Sequence, residues 1–599
     1  MKPLAATRNV LRGLGAILGL AFRAAPARTL GLLVCQTLLG SMTILGSYAT
    51  KALIQTAARH DTAGAVQAGA AIAVIAGVAV IASQITSSLT RRVSELFTIH
   101  LDGELIRLTS AIATLDYQDR PAHADKIALI RSSRQMLAAS IQALVINLQL
   151  AVILLGALVV LVGIDPVFLL LPLFAVPRFL ADRHQQSLTK AAQEASAEPT
   201  RLRNHIYGTA ASPVSGKELR IFGLAEEMLR RHRAITITLR GMAREASRRA
   251  VFWSMTGSVA FTLGCVLAIG WVVLRAARGE VSLGNVVLAA TLTTTVSTLM
   301  TTALQMGQLL ESTLQTVDRY LWLVDFSAAS ADRASPPARP PERLQAGMRV
   351  EDLSFSYPDR DHAALGDITL DLPAGKVIAL VGENGSGKST LVKLLCGLYR
   401  PTQGRILVDG ADLANMAAAD WRGRISAAFQ DFTNFELTLH ESVGIGDLAR
   451  LNEQQPTLTA MASAGAADIA ELSPKGLDVM LGRKWGGVEL SGGQWQTLAL
   501  ARAIVRGQPL LVIFDEPAAA LDAAAEHDLF ERFAAQARSE AAASQVTLLV
   551  SHRFSTVRMA DAIAVLDKGR LVEFGDHDQL MARRGLYAEL YDLQARAYR

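Results

Sequence analysis

The stretch Val377–Leu395, VIALVGENGSGKSTLVKLL, decides the reading of this chain. Its apolar opening, ending at Val381, predicts a buried strand, and Lys393-Leu394-Leu395 predicts an amphipathic helix. Between them, Gly382-Glu383-Asn384-Gly385-Ser386-Gly387-Lys388-Ser389, followed by Thr390, matches G-x-x-x-x-G-K-[ST] in the strand-then-helix setting a phosphate-binding loop requires. Gly382, Gly385 and Gly387 let the backbone curl until successive N–H groups face one point, where a helix N-terminus adds partial positive charge. Lys388 brings a point charge for the outer phosphates, and the Ser389 hydroxyl suits Mg²⁺.

Working outward, 599 residues exceed a single core. Residues 1–330 carry 31 Lys and Arg against 19 Asp and Glu, whereas the remainder carries 28 against 35. The basic half is also the apolar half, which points to a membrane with basic cytoplasmic flanks and excludes a nucleic-acid binder of ordinary composition. Cys35, Cys265 and Cys396 form no disulfide framework or zinc spacing. The acid-free, basic start fits a transit peptide or a cytoplasmic terminus held inside by its charge, and the apolar segment that follows at once favours the second.

Six segments are long and apolar enough to cross a bilayer: Leu30–Ile54, Ala63–Ile85, Ala139–Gly163, Pro166–Ala181, Phe252–Leu274 and Leu283–Leu304. The fourth is short and interrupted by Pro172 and Pro177. Two long polar connections, from about Ser87 and Asp182, then lie inside the cell. Residues 201–249 alone hold eleven Arg and Lys against four acids, whereas the outer turn Gly163–Pro166 has no cation. Lys51, Arg59, Arg275 and Arg278 run against this bias. Each connection reads as a helix broken near a proline, Pro121 or Pro213, with a short helix at the break facing the second domain.

On the sixth segment Thr291, Thr294, Thr298, Thr301, Gln305 and Gln308 make a polar stripe at helical spacing. Such a stripe serves close helix packing or walls a water-accessible substrate path. No acid sits mid-segment, so a buried carboxylate trap or proton relay is not expected. The proline-rich run after Asp325, with Pro336, Pro337, Pro340 and Pro341, predicts a stiff linker over residues 326–347. The expected division is therefore a helical transmembrane domain over 1–325 and a phosphate-loop α/β domain over 348–599.

That second domain carries further motifs in order. Tyr357, in FSYPDR, is placed to stack on adenine or to stand as an exposed turn residue. Gln430 follows the apolar SAAF run and carries an amide for Mg²⁺ or the attacking water. Leu511–Glu516, LVIFDE, is a buried strand whose acids emerge where α/β ligands bind. Asp515 suits Mg²⁺ and Glu516 suits the general base on a water attacking a γ-phosphate. His552 follows a second such strand, VTLLV. Leu490-Ser491-Gly492-Gly493-Gln494 opens another helix with small residues and free N–H groups.

With LSGGQ between the phosphate loop and Asp515-Glu516, the chain resembles the ATP-binding-cassette transporters over its whole length, in the half-transporter layout of the exporter type. The resemblance implies that two cassettes sandwich two ATP molecules, with Ser491, Gly492, Gly493, Gln494 and Asp522 of one copy closing on the phosphate loop of the other. It implies adenine stacking for Tyr357, a Q-loop at Gln430 and a switch histidine at His552. It implies ATP and Mg²⁺ as cofactors and a multi-pass place in the cytoplasmic (inner) membrane, with the cassette in the cytoplasm. A homodimer is the economical assembly, a heterodimer with a similar half-transporter the alternative, and nucleic acid is not an expected partner. Departures from the family pattern are Gly482–Glu489 (GRKWGGVE) before the signature, Thr497 where arginine is usual, and Ala518-Ala519 before the D-loop. The stretches FQDFTNFELTLHESVGIG and GGVELSGGQWQTLALARA look more like exporters of ribosomally made peptides, such as lantibiotics, than like drug or lipid-A exporters. The expected function is ATP-driven export of a peptide, lipid or other amphipathic compound by alternating access. The alternatives are an importer on the same fold, for instance for a metal chelate, and a cassette ATPase that does not transport.

Overall fold

Apolar runs longer than a bilayer is thick become long helices in the computed structural model, which describes residues 15, 17–132, 134–213, 215–330, 338–358, 360, 362–517 and 543–597. Chain contacts divide the molecule into two units, Met1–Leu105 with Ile130–Leu321, and Ile106–Leu129 with Trp322–Arg599. In the first unit, five helices among the described residues are long and apolar enough to cross a membrane: Pro26–Ala58, Thr62–Ser110, Ile141–Ile164, Ala225–Ala277 and Leu283–Met300. Val66 and Val159 are more than 70% exposed on them (72% and 73%), as faces that meet lipid rather than water must be.

The expected span Pro166–Ala181 differs. It folds as a 3₁₀ turn over Pro166–Leu170, capped by the Asp165 carboxylate, which accepts from the Val167 N–H at 2.9 Å. A helix over Leu171–Ala195 follows and runs through Pro177. Arg178 and Asp182, a buried pair at 3.8 Å, together with Arg183, lower its apolarity below that of the other five. The helix nevertheless packs closely along Ala225–Ala277, because a Cβ at Gly257 would lie 2.7 Å from that of Ala181 and one at Gly264 would strike the Phe174 ring. Around this contact Phe168, Leu171, Phe261, Val272, Leu288 and Leu292 form a core.

Arg275, one of the cations that run against the expected positive-inside bias, has local partners. It bridges Asp165 at 2.6 Å and Glu280 at 2.7 Å, so its charge is spent inside the turn cluster. Both broken connections fold as expected locally, with short helices at Asp116–Asp119 and Gly216–Ile221.

The second unit holds two sheets. Strands β1 (Gly347–Phe355), β2 (Leu365–Pro373), β4 (Gln403–Val408) and β5 (Ala411–Asp412) form an antiparallel sheet in the order β2-β1-β4-β5. Strands β3 (Val377–Val381), β6 (Ile425–Ala428), β7 (Leu511–Asp515), β8 (Val546–Val550), β9 (Ala562–Asp567) and β10 (Arg570–Gly575) form the other, ordered β10-β9-β3-β8-β7-β6. All neighbours from β9 to β6 are parallel. Strands β7 and β8 are buried at every residue, as central parallel strands covered on both faces are. Trp421, 1% exposed, seals the core beneath and donates its indole N–H to the Leu395 carbonyl at 2.9 Å. The loop 106–129 belongs to this unit, with the Leu115 N–H bonded to the Leu398 carbonyl at 2.9 Å.

Candidate nucleotide site

Strands β3, β8 and β7 stand side by side and parallel, so the chain leaves all three at one edge of the sheet, the edge where α/β proteins bind ligands. Beyond β3 comes the glycine-rich loop. Gly382 and Gly387 have φ of 150° and 103°, and a Cβ at Gly382 would collide with the Leu566 carbonyl, so glycine is required there. The helix Lys388–Leu395 begins directly after the loop. Lys388 is largely buried and its ammonium donates to the carbonyls of Gly382 at 2.7 Å and Glu383 at 2.9 Å. Burial pushes its pKa down, and the nearby carboxylates of Glu516 and Asp515 partly restore it. The Ser386 hydroxyl, in the same loop, is buried without a protein partner.

Beyond β7 come the two acids. Asp515 ends the strand, and burial, with the charges of Glu516 and Asp431 adding to it, pushes its carboxyl up to about 6. Glu516 follows at φ +50°, a left-handed conformation unusual for a side chain of this size and of the kind held at functional positions. It is pinned there by two backbone bonds, its N–H to Val550 at 3.0 Å and its carbonyl from the Gln496 amide at 3.0 Å. Its carboxylate is shared: Oε2 accepts from Gln430 Nε2 at 2.9 Å, and Oε1 lies 3.2 Å from His552 Nδ1. Gln430 reaches it because β6 lies next to β7, and His552 because β8 lies on the other side.

These residues line one cavity of 1440 Å³, which holds Tyr357, Gly382–Gly385, Gly387–Thr390, Gln430, Asp515, Glu516 and His552. At one end the Tyr357 hydroxyl pairs with Thr390 Oγ1 at 3.1 Å. The cavity also takes in residues that the sequence reading missed: Arg360, whose guanidinium lies 5.6 Å from the Tyr357 ring centre, and His362, Lys568, Leu590, Leu593 and Gln594. Arg360, three residues after Tyr357, was open to inspection in FSYPDR, but no spacing rule marks the other five.

The signature residues are not part of this cavity. Ser491 caps the helix Gly492–Ile504 through a reciprocal box with Gln494, its N–H bonded to Gln494 Oε1 at 2.9 Å, and Ser491 and Gly492 are exposed. Thr497, in place of the usual arginine, turns its hydroxyl back to the Gln494 carbonyl at 2.9 Å. The unusual GRKWGGVE segment forms a 3₁₀ turn over Arg483–Trp485, where the exposed Trp485 donates its indole N–H to Glu436 at 2.9 Å. Asp522 and Ala518-Ala519 lie outside the described residues.

On the membrane-length helix, Thr291, Thr294 and Thr298 turn their hydroxyls onto carbonyls one turn earlier, at 2.9, 3.0 and 3.1 Å, with Thr294 and Thr298 exposed. The side chains of Thr301, Gln305 and Gln308 lie outside the described ones.

The donor set suits a hard divalent cation. Ser389, Gln430 and Asp515 offer oxygen ligands to the same cavity, and the mutually repelling acids Asp515 and Glu516 carry negative charge that a cation would neutralise.

Comparison with known proteins bears on the same segment. The family described as ABC transporter matches residues 365–519. The lipid A-core flippase of Methylococcus capsulatus is 40% identical over 253 residues, 42% of this chain and 41% of that protein, so the alignment spans less than half of the relative's length. Longer alignments reach the ATP-dependent lipid A-core flippase of Thiobacillus denitrificans, 30% identical over 72% of this chain and 71% of that protein, and the nisin transport ATP-binding protein NisT of Lactococcus lactis, 26% identical over 85% and 84%. A bacterial Atm1-family ABC exporter solved with ATP bound shares the fold, at a TM-score of 0.78 and 24% identity over 95% of this chain and 99% of that one. With a phosphate loop, a signature helix and membrane-length helices on one polypeptide, and a relative 30% identical across most of its own length, this chain belongs to the ABC transporter family.

Proposed function

We propose that this protein is an ATP-driven exporter of an amphipathic lipid or peptide, working as a homodimer in the cytoplasmic membrane. Residues 1–325 form its transmembrane domain, 326–347 the linker and 348–599 the ATP-binding domain in the cytoplasm. The observation that carries the reading is the single carboxylate of Glu516 held between Gln430 and His552 beside Lys388. Such a group is positioned to accept a proton from water aligned on a γ-phosphate.

In the proposed cycle, adenine stacks on Tyr357 and the phosphates enter the loop. Lys388 exchanges its bonds to the Gly382 and Glu383 carbonyls for phosphate oxygens. Ser389, Gln430 and Asp515 hold Mg²⁺, which when bound neutralises charge on the outer phosphates. Ser491, Gly492, Gly493, Gln494 and Asp522 of a second copy close on the nucleotide, a reading supported by the exposure of Ser491 and Gly492 away from the cavity of their own chain. Water attacks the γ-phosphorus, its proton passes to Glu516, and the bond to ADP breaks. Closing and reopening of the cassettes turn a cavity walled by Thr291, Thr294, Thr298, Thr301, Gln305 and Gln308 from inside to outside. The names of the relatives, flippases and a nisin transporter, favour export of amphipathic cargo over import.

The test is purified protein in lipid vesicles, parent and Lys388→Ala, screened for lipids and peptides that raise ATP hydrolysis. Stimulation of the parent alone supports the reading; full hydrolysis by Lys388→Ala refutes it.

A further inference from the structure

The base end of the nucleotide cavity is wired to the loop 106–129 by a chain of contacts that the cycle above does not use. Asp119 closes the short helix Asp116–Asp119, and its carboxylate accepts from the Tyr399 hydroxyl at 2.5 Å. Burial, with the Asp119 hydrogen bond adding to it, raises the phenol well above its usual range, so the hydroxyl stays a donor. The Tyr399 ring meets Tyr357 edge-on, with centres 5.4 Å apart and planes at 80°, and meets Phe355 at 5.4 Å and 61°. Phe355 closes the triangle on Tyr357 at 5.0 Å. Tyr357 is then tied to Thr390 of the phosphate-loop helix. The same end of the loop is anchored independently, by Arg422 to the Ala113 carbonyl and by Leu115 to Leu398. The Asp119–Tyr399 bond is therefore not needed merely to dock the loop.

We propose that Asp119 and Tyr399 form a positioning relay through which the helix Asp116–Asp119 sets the pose of the Tyr357 ring and so tunes affinity for the base of ATP. The relay rests on the nucleotide reading given above. Three rings in mutual edge-to-face contact have few low-energy arrangements, so a displacement at the hydroxyl end is passed to Tyr357 rather than absorbed.

The experiment uses the full chain in lipid nanodiscs, with KM for ATP, kcat and equilibrium ATP binding measured for the parent, Tyr399→Phe, Asp119→Asn, Tyr357→Ala, the double variant Tyr357→Ala/Tyr399→Phe, and Lys388→Ala. Tyr399→Phe keeps the ring and loses only the hydroxyl. It and Asp119→Asn are each expected to raise KM and the ATP dissociation constant about three- to ten-fold, the range one aromatic pairing covers, with kcat unchanged. In the Tyr357→Ala background Tyr399→Phe is expected to add nothing. An unaltered KM, an increment that persists without Tyr357, or a fall in kcat alone overturns the relay. If Lys388→Ala still hydrolyses ATP, the site assignment itself fails, whereas an inactive Lys388→Ala beside an unaltered Tyr399→Phe removes only the relay.

Discussion

Replacing Glu516 by Gln removes the proposed base while leaving its shape. One oxygen becomes an amide NH₂, and His552, which can present either ring nitrogen as acceptor, can receive it while the remaining oxygen keeps the Gln430 contact now at 2.9 Å. The fold and the φ of +50° at this position are therefore expected to persist. Loss of a positioned base costs about 10² to 10⁴ in rate, or about 3 to 5 kcal/mol of activation free energy. The electrostatic consequence is separate. Glu516 is one of the charges that raise the Asp515 carboxyl to about 6, so the substitution lets that pKa fall. Mg²⁺-dependent nucleotide binding should then persist to lower pH than in the parent. The assays are steady-state hydrolysis in lipid and equilibrium binding of ATP with Mg²⁺, from about pH 8 down to about pH 5, a window that brackets the carboxyl. Turnover within about ten-fold of the parent would refute Glu516 as the base, and an unshifted binding profile would refute the coupling of the two acids.

Asp515→Asn makes a stability prediction of defined sign. A carboxyl raised from 3.8 to about 6 in the folded state stabilises the fold while protonated and loses that contribution as pH rises through 6, so the amide should raise the unfolding temperature of the nucleotide-free protein above pH 6. The gain should vanish below about pH 4, where parent and unfolded chain are both protonated, as scanning calorimetry across pH would show. Cys396 is 2% exposed with its thiol pushed up to about 12, so alkylating reagents at mildly alkaline pH should leave it unmodified in the native protein and label it after denaturation, read by mass spectrometry. Thr298→Leu with Gln305→Leu should abolish stimulation of hydrolysis by cargo while basal hydrolysis continues; unchanged stimulation would confine the stripe to helix packing.

Much of the site was legible because its motifs are local. A strand, a glycine-rich turn and a helix start must be consecutive to cradle phosphate, so VGENGSGKST announced itself, and LVIFDE did so by the same logic. Gln430 was different. A lone glutamine acquires meaning only from the strand order that sets β6 beside β7 and brings its amide to Glu516. Lys568 and Gln594 enter the cavity from the far end of the chain, with Gln594 donating to the His552 carbonyl at 2.6 Å, and no periodicity encodes that. The membrane half was legible to the extent that apolarity is. Leu171–Ala195 fell short because Arg178, Asp182 and Arg183 sit on it, and the cost of burying the first two is met by pairing that hydropathy cannot see. Arg275 looked like a charge on the wrong side until the fold set Asp165 and Glu280 against it.

The central claim is that nucleotide is hydrolysed only between two copies of this chain, Lys388 of one facing Ser491 of the other. Nanodiscs separated by single-particle mass into those holding one copy and those holding two measure this directly. ATP turnover confined to the two-copy discs is the predicted result. Equal turnover per chain in the one-copy discs would contradict it.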